Sequence, residues 1–138
     1  MGRIMAIDYG GKRSGVAVTD PMRIFATGLE AVATNDLLSF IEKYIQNEQV
    51  DVIVFGLPIR MDGSYSSIVS EMKEFAEKLT KKLPHIEIDG VDESHTSQQA
   101  VQAMVQSGVP KKKRRDKGLI DKVSATLILQ RYLEENNI

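Results

Sequence analysis

Three carboxylates in this chain stand where they could do chemistry together: Asp8, Glu93 and Asp121. Asp8 closes the apolar run Ile4-Met5-Ala6-Ile7 just ahead of Gly10-Gly11, and Glu93 follows the run Ile86 to Val91. Asp121 heads a stripe with Ala125, Ile128, Leu129 and Tyr132, at offsets of four, seven, eight and eleven residues. An acid in the first turn of a helix, on the face that packs inward, is hard to explain as a solvated group. Carboxylates gathered in one cleft repel, and at least one must take up a proton more readily than usual unless cations bridge them. Divalent metal resolves the conflict. Two Mg²⁺ or Mn²⁺ ions, with Asp8 bridging and Glu93 and Asp121 on either side, would activate a water and stabilise the leaving oxygen of a phosphodiester. The expected reaction is hydrolytic phosphodiester cleavage. Each acid also has a plainer reading: Asp8 as the start of a turn, Glu93 as a loop acid, Asp121 as a favourable charge at a helix N-terminus.

The elements that must position these acids can be read from the apolar pattern. Arg3 to Asp20 reads as strand, tight turn and strand, with Ile4, Ala6 and Asp8 on one face and Met5, Ile7 and Tyr9 on the other. Arg23 to Ala33 is expected to add a third antiparallel strand. Thr34 or Asn35 can cap a helix over Asp36 to Glu48, and Val50 to Leu57 has the nearly continuous β-branched character of a strand buried on both faces. A long helix follows the Asp62-Gly63 turn and carries Ile68, Met72, Phe75, Ala76, Leu79 and Leu83 on one stripe until Pro84. Ile86 to Val91 is a further short strand, and Thr96 to Gln99 has capping-box spacing before a helix to about Gln106. The basic run after Pro110 reads as loop, and Leu119 to Glu135 as the last helix. The order implies an antiparallel hairpin element leading into βαβ units, whose right-handed crossovers make the later strands parallel to the first. With Val50 to Leu57 beside the first strand and Ile86 to Val91 beyond it, their carboxyl ends share the edge where open α/β sheets bind ligands.

At 138 residues the chain is read as one domain, 1–138, large enough for a full core. Ordinary hydrophobic and charged contents, 42% and 27%, and the lack of any long apolar run exclude a membrane-spanning helix. The chain enters its first strand at Arg3 without a signal-peptide core, so export by that route is not expected and the cytoplasm is the expected location. The absence of cysteine removes disulfides, thiolate metal sites and cysteine nucleophiles together. With only His85 and His95 as imidazoles, carboxylates are the plentiful metal ligands, which favours Mg²⁺ or Mn²⁺. A net charge of −1 argues against coating nucleic acid by bulk charge, so such binding must be local.

The motifs Ile7-Asp8-Tyr9-Gly10 with Arg13-Ser14-Gly15-Val16-Ala17, Gly56-Leu57-Pro58 through Asp62-Gly63-Ser64, Val91-Asp92-Glu93, and Ile120-Asp121 before Ala125 and Leu129 carry a resemblance. Over essentially its whole length the chain resembles the YqgF family of RNase H-like nucleases. The resemblance implies an α/β RNase H-like fold, with a five-stranded mixed sheet of three antiparallel N-terminal strands and two further parallel strands, and helices on both faces. It implies that Asp8, Glu93 and Asp121 are the metal-binding catalytic set. It also implies a substrate class, the 5′ end of precursor 16S ribosomal RNA, with a more distant likeness to Holliday junction resolvases. One departure is visible: where the family usually continues Asp-Glu with Arg, this chain has Ser94, which removes a cation beside the cleft, and His95 follows.

Local phosphate contacts are expected from Lys111-Lys112-Lys113-Arg114-Arg115, immediately before the helix bearing Asp121, and from Lys12 and Arg13 in the hairpin turn. Such contacts would position a nucleic acid without reading its sequence. Two rivals remain at this point. An Asp-x-Gly hairpin also resembles the phosphate-binding hairpin of the actin and sugar-kinase superfamily, although those proteins close two lobes on a nucleotide. A nucleic-acid-binding assembly factor without catalysis would keep the acids only to shape the fold.

Overall fold

The computed structural model describes residues 2–59, 62–93, 102–114 and 116–138, and for Glu93 and Arg114 the description stops at the backbone. Its centre is a five-stranded mixed sheet of β1 (Arg3–Asp8), β2 (Arg13–Thr19), β3 (Ala26–Ala33), β4 (Val50–Pro58) and β5 (Glu87–Glu93), in the order β3-β2-β1-β4-β5. β1 and β2, and β2 and β3, pair antiparallel, whereas β4 and β5 extend the sheet in parallel from β1. This is the expected topology. The parallel part places the carboxyl ends of β1, β4 and β5 on one edge.

The sheet is buried on both sides because alternate residues of its central strands feed two cores. Met5, Ile7, Val16, Ile53 and Phe55 pack with Leu37 and Ile41 of α1 (Leu37–Asn47) and with Met72 and Leu79 of α2 (Ile68–Lys82). Ile4, Ala6, Ala17, Val54 and Val91 pack instead beneath Ala125, Ile128, Leu129 and Tyr132 of the last helix. A short helical segment, α3 (Lys111–Arg114), precedes that helix, α4 (Lys117–Glu135). A further helical stretch covers 102–106 and buries Met104. The capping-box residues Thr96 to Gln99 lie outside the described residues. No helix is long and apolar enough to cross a membrane among those described.

Four local expectations change. The third strand begins at Ala26 rather than Arg23, because Asp20 accepts from the amides of Met22, Ile24 and Phe25 and closes a turn in which Arg23 adopts φ 58°. Thr34 does not cap α1 through its side chain; it opens a 3₁₀ turn, Thr34–Asp36, and gives its hydroxyl to the carbonyl of Gly10 at 2.6 Å. Within the basic run, Lys111–Arg114 is helix rather than loop. Pro110 precedes a run of good helix formers that coils as α3, and the Asp116 amide donates to Lys113. Finally, α4 starts two residues earlier than expected, with Asp116 as its N-cap accepting from Gly118 and Leu119.

What lets α4 lie so close to the sheet is a strand residue. A Cβ on Gly15 would collide with the backbone carbonyl of Asp121, so helix and strand meet there backbone to backbone. Ala125 is fully buried one turn later. Gly15→Ala is therefore expected to overpack this contact and cost about 1–3 kcal/mol in denaturant unfolding. Gly11→Ala, where an added Cβ meets nothing within 4 Å, should stay within about 0.5 kcal/mol of wild type.

At the other end of α4, burial and then a hydrogen bond to Asp89 push the Tyr132 hydroxyl up to about 12. An unfolded tyrosine ionises near pH 10, so the folded state holds its proton where the unfolded state has lost it. The resulting stabilisation is complete below pH 10 and disappears as pH rises through about 12. Thermal unfolding followed from pH 9 to 12 should show a shallower alkaline decline for Tyr132→Phe than for wild type.

Candidate active site

Asp8 reaches the carboxyl edge because β1 ends there, and strand alternation places it on the same face as Ile4 and Ala6, beneath α4. It is partly buried. Its cross-strand partner in β2 is Gly15, the same residue that seats the Asp121 backbone. One glycine thus touches both acids' surroundings: Asp8 beside it in the sheet and Asp121 above it in the helix. Glu93 ends β5 on the same edge, paired with Pro58 of β4, which in turn lies beside β1. The sequence placed Glu93 just after a strand ending at Val91, whereas β5 continues through it.

The turn joining β1 to β2 is braced from three sides. The Gly10 amide donates to Ser14 Oγ at 3.3 Å, Ser14 and Thr34 share a hydroxyl hydrogen bond at 2.9 Å, and the Thr34 amide donates to the Lys12 carbonyl at 2.8 Å. Tyr9 packs its ring on Phe75 of α2, with centroids 5.5 Å apart. Burial, together with Glu71 and Glu74, raises the Tyr9 pKa above the ordinary tyrosine value. These contacts fix the backbone that follows Asp8.

Arg13 is placed differently from the free phosphate contact expected of it. It is the first residue of β2, and its Nε donates to Asp121 Oδ2 at 2.8 Å, across 108 residues of chain. Lys12 is exposed in the turn and makes no ion pair among the described residues. Lys111, Lys112 and Lys113 are exposed on α3, which is held next to the α4 N-cap. Lys113 and Lys122 flank an open groove of about 410 Å³ between the α4 N-terminus and Glu30 of β3. Arg115, Ser94 and His95 lie outside the described residues.

Asp8 and Asp121 supply hard oxygen donors, with neither sulfur nor imidazole described beside them, and that donor chemistry suits Mg²⁺ or Mn²⁺. Among the described residues no three acidic or imidazole side chains form a metal-holding group by themselves. A third donor would have to come from Glu93, whose side chain is not described. Beyond it, Asp92 accepts from the Tyr65 hydroxyl at 3.0 Å and so ties the loop after β4 to the end of β5. Sequence reading missed Asp116 as a cap, although an Asp before a helical run is an ordinary start signal. It also missed the Ser14–Thr34 brace, for which the linear sequence carries no signal.

Comparison with known proteins shows the family. The family model RuvX, described as Holliday junction resolvase, matches residues 2–135. A protein of Christiangramia forsetii is 48% identical over 135 residues, covering 98% of this chain and 100% of the relative. One from Porphyromonas gingivalis is 48% identical over 134 residues, covering 97% of each. A Bacteroides fragilis protein is 45% identical over 138 residues, covering 100% of each. All three carry the name "Putative pre-16S rRNA nuclease". With the mixed sheet, the acid-bearing edge and matches of this extent, the chain belongs to the RuvX (YqgF) family.

Proposed function

We propose that this protein is a metal-dependent nuclease that hydrolyses phosphodiester bonds in precursor 16S ribosomal RNA during maturation of its 5′ end. The observation that carries this reading is the placement of Asp8 and Asp121 around Gly15, on the sheet edge where β5 ends in Glu93. The names of the full-length relatives supply the substrate. Asp8, Glu93 and Asp121 would hold the metal. Two bound divalent ions would supply a water acidic enough to attack at neutral pH and a Lewis acid for the leaving oxygen. The chain's own contribution is position: the braced turn keeps Asp8 still, and the backbone seat at Gly15 fixes the height of Asp121. Lys111, Lys112 and Lys113 would grip the phosphate backbone beside α4, and Lys12 would do so at the turn.

The family's description as a Holliday junction resolvase keeps a second substrate in view, a four-way DNA junction. The two are separated by offering a labelled precursor-rRNA fragment and a four-way junction to the protein, with Mg²⁺ or Mn²⁺. Cutting of the RNA alone supports the ribosomal reading, and paired cuts in the junction support the resolvase one. If well-folded protein cuts neither, the chain is a non-catalytic binder.

Asp8→Asn is expected to lower cleavage at least about a hundredfold, the loss of a few kcal/mol of charge stabilisation, while binding of the same RNA in a gel shift is largely kept. Replacing Lys111, Lys112 and Lys113 together by Gln should weaken RNA binding. It should also flatten the dependence of log affinity on log salt by roughly 0.7 for each phosphate no longer neutralised. An unchanged slope in that titration would remove α3 from the proposed interface.

A further inference from the structure

We propose that Arg13 is a latch on the site: it holds the Asp121 carboxylate in the free protein and is drawn off by a substrate phosphate, so that nucleic acid and metal enter together. The inference rests on the nuclease reading above and assigns Arg13 a second, opposing role within it.

The geometry carries the first half. Arg13 Nε donates to Asp121 Oδ2 at 2.8 Å, so an oxygen required of a metal ligand is already engaged by a fixed positive charge. A divalent cation at that oxygen would face the guanidinium at close range, and the two compete for the same lone pairs. The backbone of neither partner can shift to relieve this. Asp121 is seated backbone to backbone on Gly15, and Arg13 opens β2 directly after a turn braced through Ser14 and Thr34. Only the Arg13 side chain has freedom to move.

Exposure carries the second half. The Arg13 side chain is 42% exposed, so a phosphate can reach it without opening the core, whereas Asp121 is 20% exposed. Guanidinium pairs with phosphate in two parallel hydrogen bonds, a stronger arrangement than the single hydrogen bond it makes with Asp121. A partly exposed ion pair of this kind is weak, which suits a contact that must be exchanged rather than kept. Lys12, one residue earlier, carries the same charge but makes no ion pair with Asp121. It therefore separates the effect of the bond from the effect of charge.

The test is Mn²⁺ binding to the full chain by titration calorimetry, without nucleic acid, for wild type, Arg13→Ala, Lys12→Ala and Asp121→Asn. Arg13→Ala is expected to bind Mn²⁺ about two- to fivefold more tightly than wild type, the range set by a partly exposed pair. Lys12→Ala should gain less. RNA binding in the presence of EDTA should weaken in Arg13→Ala, so that metal and nucleic acid affinities move in opposite directions, which a merely structural residue would not produce. Mn²⁺ affinity no tighter in Arg13→Ala than in wild type, or an equal gain in Lys12→Ala, would overturn the latch. Undiminished Mn²⁺ binding by Asp121→Asn is a different result: it would overturn the metal reading, and the latch with it.

Discussion

The site depends on one steric fact, the absence of a side chain at Gly15. Because nothing projects from β2 at that point, the first turns of α4 descend until the Asp121 carbonyl lies against the strand. The same glycine is the sheet partner of Asp8. A helix acid and a strand acid, 113 residues apart in the chain, are thereby brought to one place by backbone packing rather than by any attraction between them. That placement of the two backbones is imposed by the fold, and α4 has the buried stripe needed to impose it.

The remaining structure holds that arrangement still. Two apolar cores, one on each face, clamp β1 so that its four central residues are fully buried. The turn after Asp8 carries an interlocked set of bonds through Gly10, Ser14 and Thr34, and Tyr9 fastens it to α2 from the other face. Asp116 satisfies two free amides at the start of α4 and holds α3 beside it. Rigid acids with cations at their margin are what a reaction at a phosphodiester requires, since charge must be met where it develops.

Arg13 shows that the cations near such a site need not be passive. A residue read from sequence as a phosphate contact is found on the carboxylate that the proposed metal would use. Both roles belong to one side chain with two possible partners, and the weakness of the exposed pair makes exchange between them easy. The exposed lysines on α3 have no comparable partner among the described residues.

Much of this was legible in the chain itself. Period-two alternation in Ile4 to Asp8 and the continuous apolar run of Val50 to Leu57 determined which strands are buried, and right-handed crossover determined that β4 and β5 run parallel to β1. The stripe of Asp121, Ala125, Ile128 and Tyr132 determined that an acid would face the sheet. These signals are local, or follow from handedness. Tertiary structure alone decided that Gly15 is the seat of α4, that Thr34 braces the hairpin instead of capping α1, and that Arg13 meets Asp121. Each of these depends on the height and register at which segments distant in sequence come to rest, and no spacing within a single segment encodes that distance.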